Sequence, residues 1–368
     1  MLILLLTSSM GSGGAERVAC TLANAWSSRG DEVTLMPTFS GRGDCFYELS
    51  PDVHLTYLAD LVKRRARSFV NQITRLRALR RFIATERPDV IVSLLTNVNV
   101  AAVLASVGLG IPVIVCERID PFAMPISRLM RLACRFTYPL ADALMVQTHD
   151  VATKYSSSNR TLRRVRVIPN PIPGQMLDIQ QHAGIGKAKR LLSVGRLDAQ
   201  KQFDVLIKVF ASLTRHHANW SLRIVGEGLL RPVLQQQIAD LGPDGRVELP
   251  GGTANIGVEL AGADVFVLTS AYEGFPNVLL EAMAVGLPCV TFDCPSGPRE
   301  MTMEGKVAML VPLNDEDALE NALSRLMMDE DLRQSLGRRA RASVMERFAL
   351  DKVLGQWDSL FEEVGAKR

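Results

Sequence analysis

The chain is poor in aromatic residues, which make up 6% of its 368 positions. Stacking surfaces for single-stranded nucleic acid need rows of exposed rings, so no nucleic-acid partner is expected. Histidine is scarce, with five in all, and the six cysteines (Cys20, Cys45, Cys116, Cys134, Cys289, Cys294) include no CxxC pair. A zinc site built on cysteine spacing is therefore not expected. The cysteines read as small core residues of a protein kept in a reducing compartment. No apolar run reaches the ~18 residues of a membrane span. The opening run LILLL at 2–6 has no basic start and no small-residue cleavage site. It reads as a strand and not as a leader. The GxGxxG spacing of dinucleotide sites is also missing.

What remains is an ordinary globular composition, 47% hydrophobic and 22% charged, of a length that suits roughly two domains. The charge is uneven. Residues 1–174 carry 21 Lys+Arg against 13 Asp+Glu, and the remainder carries 21 against 26. A basic half joined to an acidic half implies that the first half meets an anionic partner or surface.

Buried strands alternate with helical stretches in both halves. Strands are expected at 2–7, 32–38, 53–57, 111–118 and 141–148, with 86–95 read as a helix end, a turn and a buried strand, and the rhythm restarts at 190–197. That alternation predicts two parallel, doubly wound sheets, with ligands outside the carboxyl ends of the strands. The repeated prolines of RVRVIPNPIPG (164–174) begin a linker, bounded as 173–189. The domains then run over 1–172 and 190–350, with a last helix at 351–368 packing back on the first.

A long basic helix is expected over 61–85. Leu61, Phe69, Ile73, Leu76 and Leu79 lie on one arc, with Lys63, Arg64, Arg67, Arg75, Arg77, Arg80 and Arg81 mostly opposite. One reading is a solvated face. The other is a docking face for anionic lipid headgroups or a lipid-linked pyrophosphate. The lack of acids from Lys63 to Arg81 favours the second. Arg128, Arg131 and Arg135, set among Leu, Met and Phe, admit the same two readings.

The centre of the sequence is TSAYEGFPNVLLE at 269–281. A buried strand runs into Glu273, Gly274, Phe275 and Pro276, and a helix begins near Asn277 with Pro276 at its first position. The unpaired N–H groups of that helix start favour an anion, and two carboxylates bracket them. Arg196 and Lys201, five apart after another strand, either clamp a diphosphate or belong to an ordinary surface loop. Gly226 sits in a tight GEG turn where a base or ribose has room. Gly13 and Gly14 follow the first strand; they either cradle phosphate or merely allow close packing. The acidic runs at 315–317 and 329–331 resemble DxD metal motifs, but each precedes a helical run and reads as helix-start acids.

Taken together, GSGGAER (11–17), VIPNPI (167–172), VGRLDAQKQ (194–202), VGEG (225–228) and EGFPNVLLE (273–281), followed by EAMAVGLPCV (281–290), resemble the retaining glycosyltransferases of family 4. The resemblance spans essentially the whole chain. It implies the α/β GT-B fold, two doubly wound Rossmann-like domains facing a central cleft. The first would bind the acceptor and the second the nucleotide sugar. It implies transfer from a nucleotide diphosphate donor, a UDP-sugar, to a lipid-linked or growing glycan acceptor. Such an enzyme is expected in the cytoplasm, held peripherally on the inner face of the membrane. The nucleotide sugar is a co-substrate, and no other cofactor and no metal is implied.

Arg196 and Lys201 would neutralise the leaving diphosphate. Glu281 would hold the ribose, and Glu273 would contact the donor sugar. Gly13, Gly14, Gly226 and Gly274 would lie against the donor. The backbone N–H groups of Phe275, Asn277 and Val278, around Pro276, would meet phosphate and sugar. Many family members carry a histidine after the strand corresponding to 111–116. This chain has Cys116-Glu117-Arg118-Ile119-Asp120, so Arg118 or Asp120 is expected to stand in, with a salt-bridged loop as the plainer reading. Two other functions stay open: a nucleotide-sugar-binding sensor or scaffold without turnover, and a same-fold UDP-sugar epimerase.

Overall fold

Strands that are apolar along their whole length must be covered on both faces, and here helices cover them. Residues 3–7 of the first strand are all buried, as a parallel strand between helix layers requires. The computed structural model describes residues 1–11, 13–39, 45–62, 69–124, 126–158, 162–179, 188–242, 245–253 and 255–366. The chain divides into two units, residues 1–171 with 353–368, and residues 172–352.

The first unit holds β1 (Leu2–Thr7), β2 (Glu32–Pro37), β3 (His54–Leu55), β4 (Val90–Leu94), β5 (Val113–Cys116), β6 (Ala143–Val146) and β7 (Val165–Val167). They form one parallel sheet in the order β3-β2-β1-β4-β5-β6-β7. The second unit holds β8 (Lys189–Val194), β9 (Trp220–Val225), β10 (Val247–Gly251), β11 (Val265–Leu268), β12 (Cys289–Phe292) and β13 (Met309–Val311). Its parallel order is β10-β9-β8-β11-β12-β13. Both orders reverse beside their first strand, which is where loops part at the carboxyl edge of an open sheet.

The last helix, Leu350–Glu363, returns the chain to the first unit. Trp357 meets Trp26 edge-on at 5.5 Å, and Arg29 and Arg166 pair with Asp358 and Glu363 at 2.6 and 2.7 Å. The stretch read as a linker over 173–189 opens differently. Ile172 is fully buried, and Met176, on a short helix Gly174–Leu177, sits in the apolar core of the second unit. Apolar burial recruits what proline content alone suggested was a spacer. Residues 180–187 of that stretch lie outside the described residues.

The described part of the basic helix runs Phe69–Glu86. Lys63, Arg64 and Arg67 lie outside the described residues. Arg75 donates to the Thr38 carbonyl, and Arg80 donates to the carbonyls of Ala105 and Val107 at 3.0 and 2.8 Å. Two arginines of the presumed docking face thus brace the fold instead.

The helix Asn277–Val285 is fixed at its far end. It stops at Gly286, whose φ of +88° only glycine adopts easily, and Arg341 donates to the Ala284 carbonyl at 2.9 Å. The helix Glu330–Arg347 crosses so closely that a Cβ on Gly337 would overlap the Gly286 carbonyl oxygen. Gly337→Ala is therefore expected to destabilise the protein by about 1–3 kcal/mol through overpacking. Gly355→Ala, in a helix with open space around it, should stabilise by about 0.4–1 kcal/mol. Urea unfolding of the two variants against wild type checks both signs.

Candidate active site

In the second unit three loops meet at the carboxyl edge of the sheet: 195–202 after β8, 269–276 after β11, and 293–297 after β12. Their connection is a buried ion pair. Lys201 Nζ donates to Glu273 Oε1 at 2.6 Å, and Ser270 Oγ donates to the same oxygen at 2.6 Å. The Lys201 stem reaches this position by lying over Gly195, where a Cβ would come within 3.0 Å of it. Around the pair, Gln200 Nε2 donates to the Tyr272 carbonyl at 2.9 Å, and the N–H of Ala271 donates to the Gln200 carbonyl at 2.8 Å. Thr269 Oγ1 donates to the Lys201 carbonyl at 2.8 Å.

The third loop holds the second from behind. The N–H of Glu273 donates to the Pro295 carbonyl at 3.2 Å, and Ser296 Oγ donates to the Gly274 carbonyl at 3.2 Å. Gly297 has φ +95°, and a Cβ there would stand 2.7 Å from Pro276 Cδ. Sequence reasoning missed Gln200, Ser270, Ser296 and Gly297. The one available signal was a glycine directly before the proline that opens the helix Pro298–Met301.

Pro276 is the N-cap of the helix Asn277–Val285 and not its first helical residue, and it supplies no side-chain cap. The amide end of this helix, at Asn277 and Val278, therefore takes no capping bond from Pro276 itself. The Phe275 ring is a core anchor, edge-on to Phe348 at 5.8 Å. Glu281, in the second turn, is 2% exposed. Arg196 is not brought beside Lys201. Its side chain is 75% exposed and rests on its own loop, 3.4 Å from Asp198 and 3.3 Å from Gln200. Gly226 is pressed against the backbone of Gly195, and Leu197 N–H donates to the Glu227 carbonyl at 2.9 Å. The GEG turn thus shapes the Arg196 loop. Asp315 and Asp329 cap helices, accepting from the N–H groups of Ala318 and Leu332 at 2.9 and 2.8 Å. Among the described residues no cluster of His, Cys, Asp and Glu is placed to hold a metal.

In the first unit, Gly13 leaves space that a side chain fills. The Glu16 carboxylate folds back to where a Cβ would lie, held by Ser9 Oγ at 2.5 Å. In this structure the start of the helix Gly14–Ser28 therefore faces the protein's own acid. Glu117 follows β5 and is buried, accepting from Tyr138 Oη and, at 2.8 Å, from Thr96 Oγ1. Burial outweighs these bonds and pushes its carboxyl up to about 7. Arg118 and Asp120, expected to act alike, differ. Asp120 is committed to the fold: it accepts from the Phe122 N–H at 2.8 Å and pairs with Lys154 at 3.0 Å. Among the described residues Arg118 donates only through Nη1, to Asn170 Oδ1 at 2.5 Å, and burial lowers its pKa.

The helix Arg128–Thr137 has two different outer stripes. Leu129, Leu132 and Phe136, at i, i+3 and i+7, are 78%, 52% and 67% exposed. Arg128, Arg131 and Arg135 are exposed beside them, and the helix carries no acid. Its inner face is Met130, Ala133, Cys134 and Thr137.

Residues 13–171 match the model of the glycosyl transferase 4-like domain, and residues 176–343 match that of glycosyl transferases group 1. The GalNAc-alpha-(1->4)-GalNAc-alpha-(1->3)-diNAcBac-PP-undecaprenol alpha-1,4-N-acetyl-D-galactosaminyltransferase of Campylobacter jejuni is 28% identical over 366 residues, 99% of each chain. An exopolysaccharide phosphotransferase of Streptomyces coelicolor is 38% identical over 232 residues, which span 62% of this chain and 24% of that protein. Among solved structures, HepE of Anabaena in complex with UDP matches with a TM-score of 0.81 at 19% identity, over 98% of this chain and 100% of that one. At that identity the match is one of fold.

Because the folded protein holds the Glu117 proton more tightly than the unfolded chain, Glu117 makes stability fall as pH rises from the ordinary carboxylate range to about 7. Glu117→Gln removes this slope. Its stability relative to wild type should rise by roughly 2–3 kcal/mol between pH 5 and pH 8 in denaturant titrations. Parallel curves would mean that the group is ionised throughout.

Proposed function

We propose that this chain, which belongs to the group 1 glycosyl transferases and carries a glycosyl transferase 4-like first half, moves a sugar from a UDP-sugar to a lipid-linked or growing glycan in polysaccharide assembly. The observation that carries this reading is the buried Lys201–Glu273 pair, set just ahead of the helix Asn277–Val285 at the carboxyl edge of the second sheet. Cleavage of the donor leaves negative charge on the departing diphosphate, and stabilising that charge is the main electrostatic task. Lys201, the exposed Arg196 and the amide end of Asn277–Val285 supply positive charge at one sheet edge, in place of a metal. Drawing Lys201 onto phosphate releases Glu273 for the hydroxyls of the sugar, and Glu281 serves the ribose.

Transfer retains the anomeric configuration. The bond from the anomeric carbon to the diphosphate oxygen breaks, and the acceptor oxygen bonds to the same face. The departing diphosphate oxygen takes the acceptor proton. The UDP form of the donor is supported by the UDP bound to the Anabaena neighbour, and the lipid-linked acceptor by the name of the Campylobacter relative.

Peripheral attachment to the cytoplasmic face of an anionic membrane belongs, in this reading, to the helix Arg128–Thr137 and not to the basic helix at 61–85. Exposed Leu129, Leu132 and Phe136 can enter the headgroup boundary while the neighbouring arginines meet anionic lipid.

Two experiments test these readings. Purified protein should transfer label from a UDP-sugar to a polyprenyl-diphosphate-linked glycan at a rate that EDTA leaves unchanged. Arg196→Ala should lower kcat/KM by about 10²-fold without moving Tm. Binding without turnover would favour the sensor, and an epimerised nucleotide sugar without acceptor would favour the epimerase. In liposome co-sedimentation, Leu129→Glu with Phe136→Glu should weaken binding to phosphatidylglycerol vesicles by about tenfold or more. Arg77→Glu with Arg81→Glu should change it little; the reverse ranking would return the membrane face to the first helix.

A further inference from the structure

We propose that Arg118 is an anion-binding residue whose guanidinium edge, Nε with Nη2, takes two oxygens of a diphosphate. Three observations lead there. Arg118 is 7% exposed, yet its Nε and Nη2 are buried and have no hydrogen-bond partner among the described residues. These two atoms form the side-on edge of the guanidinium, the edge that grips carboxylate or phosphate through two parallel N–H bonds. The opposite corner is anchored: Nη1 donates to Asn170 Oδ1 at 2.5 Å, and Gln147 Nε2 donates to the same oxygen at 2.6 Å. Arg118, Gln147 and Asn170 follow the neighbouring strands β5, β6 and β7, so they stand side by side at the carboxyl edge of the first sheet, where parallel α/β sheets bind ligands.

A buried charge with unmade hydrogen bonds destabilises the empty protein, and an anion relieves that cost. Asp120 does not compensate it, since it is held by Lys154 and its own turn. Both nitrogens are shielded from water, so an arriving anion must displace neighbouring side chains.

The choice of a diphosphate rests on the glycosyltransferase reading; the anion site itself does not. Two sources share this chemistry, the donor and a lipid-linked acceptor. Isothermal titration with inorganic pyrophosphate, UDP and farnesyl diphosphate separates them. Arg118→Met should keep or raise Tm in anion-free buffer, because it removes an unsatisfied charge. It should weaken pyrophosphate binding by roughly 10- to 100-fold. Arg118→Lys, which keeps the charge but not the fork, should also weaken it. A parallel loss for UDP alone assigns the donor, and a loss for farnesyl diphosphate alone assigns the acceptor. Unchanged pyrophosphate binding in both variants overturns the inference, even if sugar transfer is intact. Arg118-dependent pyrophosphate binding without sugar transfer would keep it while ending the glycosyltransferase reading.

Discussion

The ion pair of Lys201 with Glu273 organises the carboxyl edge of the second sheet. One member comes from the loop after β8 and the other from the loop after β11, so the pair exists only once these strands lie side by side. Both side chains are nearly excluded from water. Removing one partner of such a pair leaves a buried charge and costs on the order of 3–5 kcal/mol. The surrounding bonds from Ser270, Gln200 and Thr269, and the support of Ser296 and Gly297 behind Gly274 and Pro276, hold the pair in one geometry.

The first unit solves a different problem with similar means. Its carboxyl edge buries Glu117 and Arg118 one after the other and satisfies them unequally. Glu117 is enclosed by hydroxyls, and the penalty of burial appears as a raised proton affinity. Arg118 is anchored at one corner, and its other edge has no partner among the described residues. An arginine cannot escape burial by losing its proton in the way a carboxylate gains one.

Apolar burial sets the boundaries that composition blurs. The last helix belongs with the first unit because Trp357 and Phe361 close over Trp26. The residues after the proline cluster belong with the second because Ile172 and Met176 are core. The outward stripe of Leu129, Leu132 and Phe136 is the converse case, apolar surface left uncovered beside arginines.

The sequence by itself determined the alternation of strands and helices, the two parallel sheets and the family. Those follow from hydrophobic period and local motif, which are properties of short stretches of chain. Only the tertiary structure decided who pairs with whom. It joined Lys201 to Glu273 across seventy-odd residues and left Arg196 apart from both. It filled the space at Gly13 with Glu16, gave Asp120 to Lys154, and left the Nε–Nη2 edge of Arg118 without a hydrogen-bond partner among the described residues. The reason is physical: hydrogen bonding and burial depend on which strands lie adjacent and on what covers each side chain. No local pattern carries that information.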